Sequence, residues 1–358
     1  EQQGFPATRF GTALSDNSWM RGYAKFHAND NQRLVGGDSN YDEDTKGAGG
    51  FRFDQKFSDA NLQVQGDLYA GDGGLQATTV DLDERANVVT KRNTDYSGGN
   101  FLTRYSQELS NDTSYSAQFY YDRVNRTDIY ANSSLDTYDG DFQVNSRLWT
   151  SHQLAFGMNY RHVDDEIIGG HGLEFIPNEQ NVNLAGAFVQ DEIELVDKTL
   201  ALTLGTKFEH QDYIGGEWQP TAKLLWQLDS ENAIWTSFSR AARIPSRAER
   251  HLNANLHVIN PDPFTITRLK GTQSNSAEYL TAYELGYRTA IEKDLSMDLS
   301  LFYFDYENRS ITTVGQPTVE LHDTGPIVVV PATLLLDTDT YSYGGEAVLN
   351  WRATKALR

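Results

Sequence analysis

The feature that most constrains this chain is a two-residue alternation of apolar and polar side chains, repeated along nearly its whole length. In 200–208 Leu200, Leu202, Leu204 and Phe208 form one row, opposed by Thr203, Gly205 and Lys207. In 295–303 Leu295, Met297, Leu299, Leu301 and Tyr303 oppose Ser296, Asp298 and Ser300. Leu62, Val64 and Leu68 alternate with Gln63, Gln65 and Asp67, and Leu154, Phe156, Met158 and Tyr160 with Gln153, Gly157, Asn159 and Arg161. A period of two is the signature of strands with one apolar face. Counting such segments predicts about 14 strands from Trp19 to Trp351, with one more at Thr8–Leu14 weakly marked. Most run about 10–14 residues, longer than the usual soluble strand and suited to a tilted bilayer crossing. Only 181–196 changes phase, near Gln190 and Asp191, which predicts a bulge or emergence from the membrane.

Connection lengths narrow the choice further. Short connections at 15–18, 58–60, 110–112, 150–152, 197–199, 229–231 and 292–294 alternate with long ones. The long ones are 28–46, 71–95, 125–137, 164–180, 211–217, 242–277 and 309–341. An up-and-down barrel with tight turns on one side of a membrane and extended loops on the other predicts this; a Greek-key sandwich does not. The expected fold is therefore all-β: an antiparallel up-and-down transmembrane β-barrel. Trp149, Trp226, Trp235, Trp351 and Tyr160 lie toward strand ends, where interfacial belts place aromatic rings.

Composition supports this reading by exclusion. No run of 18 apolar residues occurs, so a transmembrane helix is not expected. The absence of Cys removes disulfides and thiol chemistry. A net charge of -20 argues against nucleic acid as a partner. Scattered His residues, among them His162, His171 and His210, lack metal-site spacing, and no nucleophile elbow is found. The expectation is no enzyme activity, no cofactor and no resident metal. The acidic stretch Asp38 to Asp44 reads as a solvated loop. No linker divides residues 1–358, which are expected to form one barrel domain.

Two groups of side chains are candidates for function. The segment 242–277 holds Arg243, Arg247, Arg250, Arg268 and Lys270 against Glu249 and Asp262, a local charge of about +3 in an acidic chain. Such a loop suits an anionic ligand, through focusing and bidentate pairing; lipopolysaccharide phosphate and internal salt bridges are the competing uses. Arg104, Glu108, Arg147, Lys207, Lys223, Glu284, Arg288 and Glu346 fall in the polar phase and are expected to face a lumen. On the lipid face an Arg or Lys would cost about 2–4 kcal/mol near the midplane.

Along these strands the sequence resembles the barrel of TonB-dependent receptors. The motifs are Phe188-Val-Gln-Asp-Glu192 followed by Leu200 to Gly205, and Trp235-Thr-Ser-Phe-Ser-Arg240-Ala-Ala-Arg243-Ile-Pro245 with Glu249 beyond. Glu278 with Tyr283-Glu-Leu-Gly-Tyr-Arg288, then Phe302 to Tyr306, then Gly344-Gly-Glu346 continue the order. The resemblance implies a bacterial outer-membrane receptor that imports a scarce ligand, most simply a ferric siderophore, with energy from TonB. It further implies contact with outer-membrane lipid and lipopolysaccharide. No plug, TonB-engaging box or terminal aromatic strand is visible, and both ends read as cuts. With about 14 of about 22 strands covered, an open or partly curled sheet is expected. A passive porin and a soluble secreted β-rich binding protein are the alternatives.

Overall fold

The computed structural model describes residues 2–37, 39–274 and 276–352, so the acidic Asp38 and the last six residues lie outside it. In chain order the strands begin with β1 (Gln2–Gly4), β2 (Ala7–Ser15), β3 (Ser18–Asn29), β4 (Asp44–Lys56), β5 (Ala60–Asp81), β6 (Ala86–Ser110) and β7 (Thr113–Thr127). They continue with β8 (Ala131–Leu148), β9 (His152–Gly169), β10 (Leu173–Phe175), β11 (Glu179–Val196), β12 (Leu200–Gln211), β13 (Gly215–Gln227) and β14 (Asn232–Arg243). After the single-turn helix α1 (Arg247–His251) come β15 (Leu252–Pro261), β16 (Phe264–Lys270), β17 (Glu278–Glu292), β18 (Leu295–Val314), β19 (Thr318–His322) and β20 (Gly325–Trp351).

Fourteen long strands between Trp19 and Trp351 match the alternating segments, and the weak Thr8–Leu14 segment is realised as β2. Each long strand pairs antiparallel with the next long one, from β2 to β20. Among the described residues no ladder joins β2 to β20, so this sheet is an open meander. The remaining short strands, β1, β10, β15, β16 and β19, all belong to the long-loop end.

The two faces separate row by row. Across nine strands Arg147, Gln153, Glu192, Thr203, Lys223, Ser237, Glu284, Phe302 and Gly344 are successive cross-strand partners. One residue along, the row reads Leu154, Asp191, Leu204, Ala222, Phe238, Tyr283, Tyr303 and Tyr343. Half of the second row is exposed, with Leu204 at 45 %, Tyr283 at 49 %, Tyr303 at 44 % and Tyr343 at 74 %. Exposed large hydrophobics on one continuous face are what a lipid-facing wall requires. Along it Phe238, Tyr283 and Tyr303 stand ring to ring at 5.4 and 6.4 Å, each contact adding roughly 0.2–1 kcal/mol.

Register corrects two expectations. The ladders of β11 run without interruption through Gln190 and Asp191, so there is no bulge there. Asp191 sits on the apolar face near the Asp197–Thr199 turn, and His152 Nδ1 lies 2.7 Å from its carboxylate. Trp226 and Trp351 lie on the apolar face, paired with Leu200 and Leu295, and Trp149 occupies a tight turn. Trp235 does not belong to a lipid-side belt: it pairs with Gly286 in the row that leads through Ser300 to Glu346, on the polar face.

Large rings on the polar face share one device. A Cβ added at Gly286 would collide with the Trp235 indole. Gly157 lies similarly against Phe188, Gly344 against Phe302, and Gly98 against Tyr69. Each ring lies across a neighbouring glycine, close to the wall. Only a residue without Cβ permits so close an approach.

Segments 71–95 and 309–341 are not open loops. β5 and β6 continue as a hairpin to Asp81 and Ala86, and β18, β19 and β20 fill most of 309–341. Their ends meet β15 and β16, where β16 pairs parallel with β20 from Thr265–Val328 to Lys270–Thr333. Val80, Phe264, Ile266, Ile327 and Val329 form a buried cluster there, with Leu82 and Val258 packed against it. Arg85 clamps it, with its guanidinium 4.5 Å from the Phe264 ring and hydrogen bonds to the Thr324 and Pro326 carbonyls.

Candidate functional site

The eight charges expected in the polar phase do share one face, Glu108 standing four residues from Arg104 on β6. Arg147, Lys223 and Glu284 stand in a single row, and Lys207, Arg288 and Glu346 lie an even number of residues from members of it. Arg104 joins through Gln118, Asp141, Asn159 and Gly186. Pairing within this face, along a strand or across to its neighbour, satisfies several of them. Arg104 donates to Gln118 Oε1, Lys207 Nζ lies 2.7 Å from Glu209, and Arg288 Nε lies 2.6 Å from Asp298. Ser237 Oγ donates to Glu284 at 3.0 Å.

The basic loop enters from β14 and carries α1, β15 and β16. Ser246 begins α1 with a capping box: its hydroxyl accepts from the Glu249 amide, and the Glu249 carboxylate accepts from the Ser246 amide. Glu249 also faces Arg243, with two hydrogen bonds of 3.0 Å. Arg243 reaches Glu278 as well, at 2.9 and 3.0 Å, and Arg309 approaches the other Glu278 oxygen at 3.9 Å. The Glu249 hydrogen bonds, ahead of those from Glu278, hold the Arg243 guanidinium above its ordinary pKa. Burial would raise the Glu249 carboxyl, but Arg243 and the Ser246 amide together bring it below the ordinary 4.5.

Arg247 forks onto Asp165 at 3.0 and 3.2 Å and onto the carbonyls of Pro177 and Asn178 at 2.5 and 3.1 Å. Both partners are well buried, and burial lifts the Asp165 carboxyl above its usual range despite Arg247. Arg250 stacks 4.6 Å above the Tyr213 ring, and burial lowers its pKa. Arg268 spans Asn255 and Glu320 at 2.7 Å each. The Lys270 side chain has no ion-pair, hydrogen-bond or ring partner among the described residues. Gly271 follows because a Cβ there would lie 2.5 Å from the Ala248 carbonyl as the chain passes α1.

Thus the positive excess of the segment is answered by Asp165, Glu278 and Glu320, three carboxylates from β9, β17 and β19. Sequence reasoning did not foresee these pairs, because each partner comes from a different strand. It also passed over His251, which is 7 % exposed and packs 5.7 Å from Tyr213. No local signal marks a histidine as buried. The acidic loop organises itself: Asn31 Oδ1 accepts from the amides of Asp42 and Glu43, and the Gln32 amide donates to Asp42.

A membrane-facing apolar row, a polar row behind it and long connections gathered at one end define an antiparallel barrel wall of the bacterial outer membrane. The chain belongs to the family described as TonB dependent receptor-like, beta-barrel, whose model matches residues 7–357. It is 28 % identical over 143 residues to the ferric enterobactin receptor of Pseudomonas aeruginosa, covering 37 % of this chain and 18 % of that protein. It is 23 % identical over 211 residues to the iron-regulated outer membrane virulence protein of Vibrio cholerae, covering 58 % and 30 %. Among solved structures, a point mutant of the P. aeruginosa ferric enterobactin receptor superposes with a TM-score of 0.76 at 15 % identity, over 98 % of this chain and 57 % of that one. The Serratia marcescens hemophore receptor HasR, in complex with HasA and heme, gives 0.71 at 14 %, over 99 % and 61 %. The chain therefore spans less than two thirds of the length of each of these relatives. The family and the relatives are transport receptors rather than enzymes.

Proposed function

We propose that this chain, residues 1–358, forms part of the single barrel domain of an active-transport receptor that imports a ferric siderophore, powered by TonB through a region outside this sequence. The observation that carries the reading is family membership across nearly the whole chain together with a relative named for ferric enterobactin. In this reading Arg104, Arg147, Lys207, Lys223, Glu284, Arg288 and Glu346 line the lumen and face a plug. The loop Arg243, Arg247, Arg250, Arg268 and Lys270 is the proposed ligand surface. Lys270 supplies direct attraction for an anionic chelate, while the paired arginines hold the loop in shape. The apolar face meets lipid and lipopolysaccharide.

Deletion of the full-length gene, followed by growth of iron-starved cells on defined iron sources, tests this. Loss of growth on one ferric siderophore, with growth on heme retained, is the expected result. Loss on heme alone would transfer the cargo to the chemistry named for the HasR complex. No defect on any iron source, with no induction by iron starvation, would overturn the iron reading and point to cobalamin or glycans.

A further inference from the structure

The single turn α1 is wedged among three other segments. Arg247 binds Asp165 of β9 and the carbonyls at 177–178, and the His251 carbonyl accepts from the Ile176 amide at 3.0 Å. Tyr213, in the turn between β12 and β13, covers both Arg250 and His251. Glu249 and Leu252 carbonyls receive the amides of Thr272 and Gly271. At the centre His251 is 93 % buried by the 7 % exposure above, and its Nδ1 has no hydrogen-bond partner. It sits on the same turn as Arg247 and Arg250.

We propose that His251 is a proton-operated latch: uncharged, it lets α1 dock between β9 and the Tyr213 turn, and a proton on its ring releases α1. The imidazolium would stand as a third positive charge beside Arg247 and Arg250. Nearby carboxylates are already engaged. Asp165 holds Arg247, Glu249 holds Arg243, Glu174 accepts from Asn253, and Asp212 accepts twice from Asn183. Tyr213 offers a neutral ring whose phenol burial holds above its ordinary pKa. A buried charge with no carboxylate to answer it is costly enough to undo a one-turn helix.

The direction of the pH effect follows. Burial first, then the charges of Arg247 and Arg250, holds the His251 ring below its ordinary pKa of 6.5, against a hydrogen bond to the Arg247 backbone that favours the proton. The docked state binds fewer protons than the released one, so docking is strongest above 6.5 and weakens as pH falls below it, until the depressed value is passed. Release would swing Arg247 and Arg250 away from Asp165 and Tyr213. The inference concerns α1 alone and stands whatever the cargo is.

Amide hydrogen exchange of the full-length receptor in detergent tests it, with rates corrected for the intrinsic effect of pH. Between about pH 7.5 and about pH 5.5 the open population of 247–252 is expected to rise roughly tenfold, while amides of β12 stay protected. In His251→Gln and His251→Phe the rise is expected to vanish. Wild-type exchange that is flat across this interval overturns the latch, whichever variant folds. So does a rise of the same size in both variants, which would place the titrating group outside His251; Asp165, whose carboxyl is lifted by burial, would favour docking rather than release as pH falls.

Discussion

The wall of the barrel and the assembly at its long-loop end solve the same problem in opposite ways. In the wall, Leu204, Tyr283 and Tyr303 are half exposed, because the apolar phase they need lies outside the protein. At the loop end, Phe264, Ile266, Ile327 and Val329 expose 2 % or less, because water surrounds them and they must supply their own apolar phase. The wall is held by ladders that run strand to strand. The cluster is held by contacts between segments as distant as Leu82 and Thr324, whose hydroxyl donates to the Leu82 carbonyl at 3.1 Å. Burial is thus no measure of importance in this molecule unless the solvent on each side is known.

That contrast can be broken by exchanging the demands of the two regions. Phe264→Ala should have the largest effect, about 3–5 kcal/mol by cavity formation, confined to the loop end. Limited proteolysis should then cut within 78–90 and 315–330 while the heat-modifiable barrel band is retained; loss of both together would show the two regions to be one cooperative unit. Leu204→Arg should cost about 2–4 kcal/mol in the wall, read as a lower urea midpoint in lipid vesicles, whereas Thr203→Arg on the polar face should cost far less. Equal costs at 203 and 204 would remove the distinction between the faces.

Smaller effects sharpen the picture. Gly286→Ala should lose about 1–3 kcal/mol by driving Trp235 off the wall, and Trp235→Ala in the same chain should recover part of it. Additive losses in a double-mutant cycle would argue against contact between them. The smallest effect concerns Glu249, whose depressed carboxyl stabilises α1 above the ordinary value of 4.5 and ceases to do so as pH falls through its folded value. Glu249→Gln should abolish that low-pH step in the exchange of 247–251 and leave any step near 6.5 in place.

Alternation alone made the strands, their two faces and the order of short and long connections legible, since each depends on residues two apart and on the turn that follows. The polar-phase charges were readable for the same reason: Lys223 and Glu284 reach one row because each strand keeps its own phase. Trp235 was misplaced because position near a strand end says nothing of which face a ring occupies; its parity, and the bare backbone of Gly286 opposite, decide that. The segments 71–95 and 309–341 read as loops because their strands carry no lipid-facing row.

What one sequence determined by itself is therefore everything local: period, phase, turn placement and overall polarity. The tertiary structure alone decided how the loop charges are answered, for Arg247 meets Asp165 across 82 residues, and Arg268 meets Glu320 across 52. It alone made His251 a buried residue. The physical reason is that side-chain alternation is written along the chain, while ion pairing and desolvation depend on which distant strand the register brings alongside.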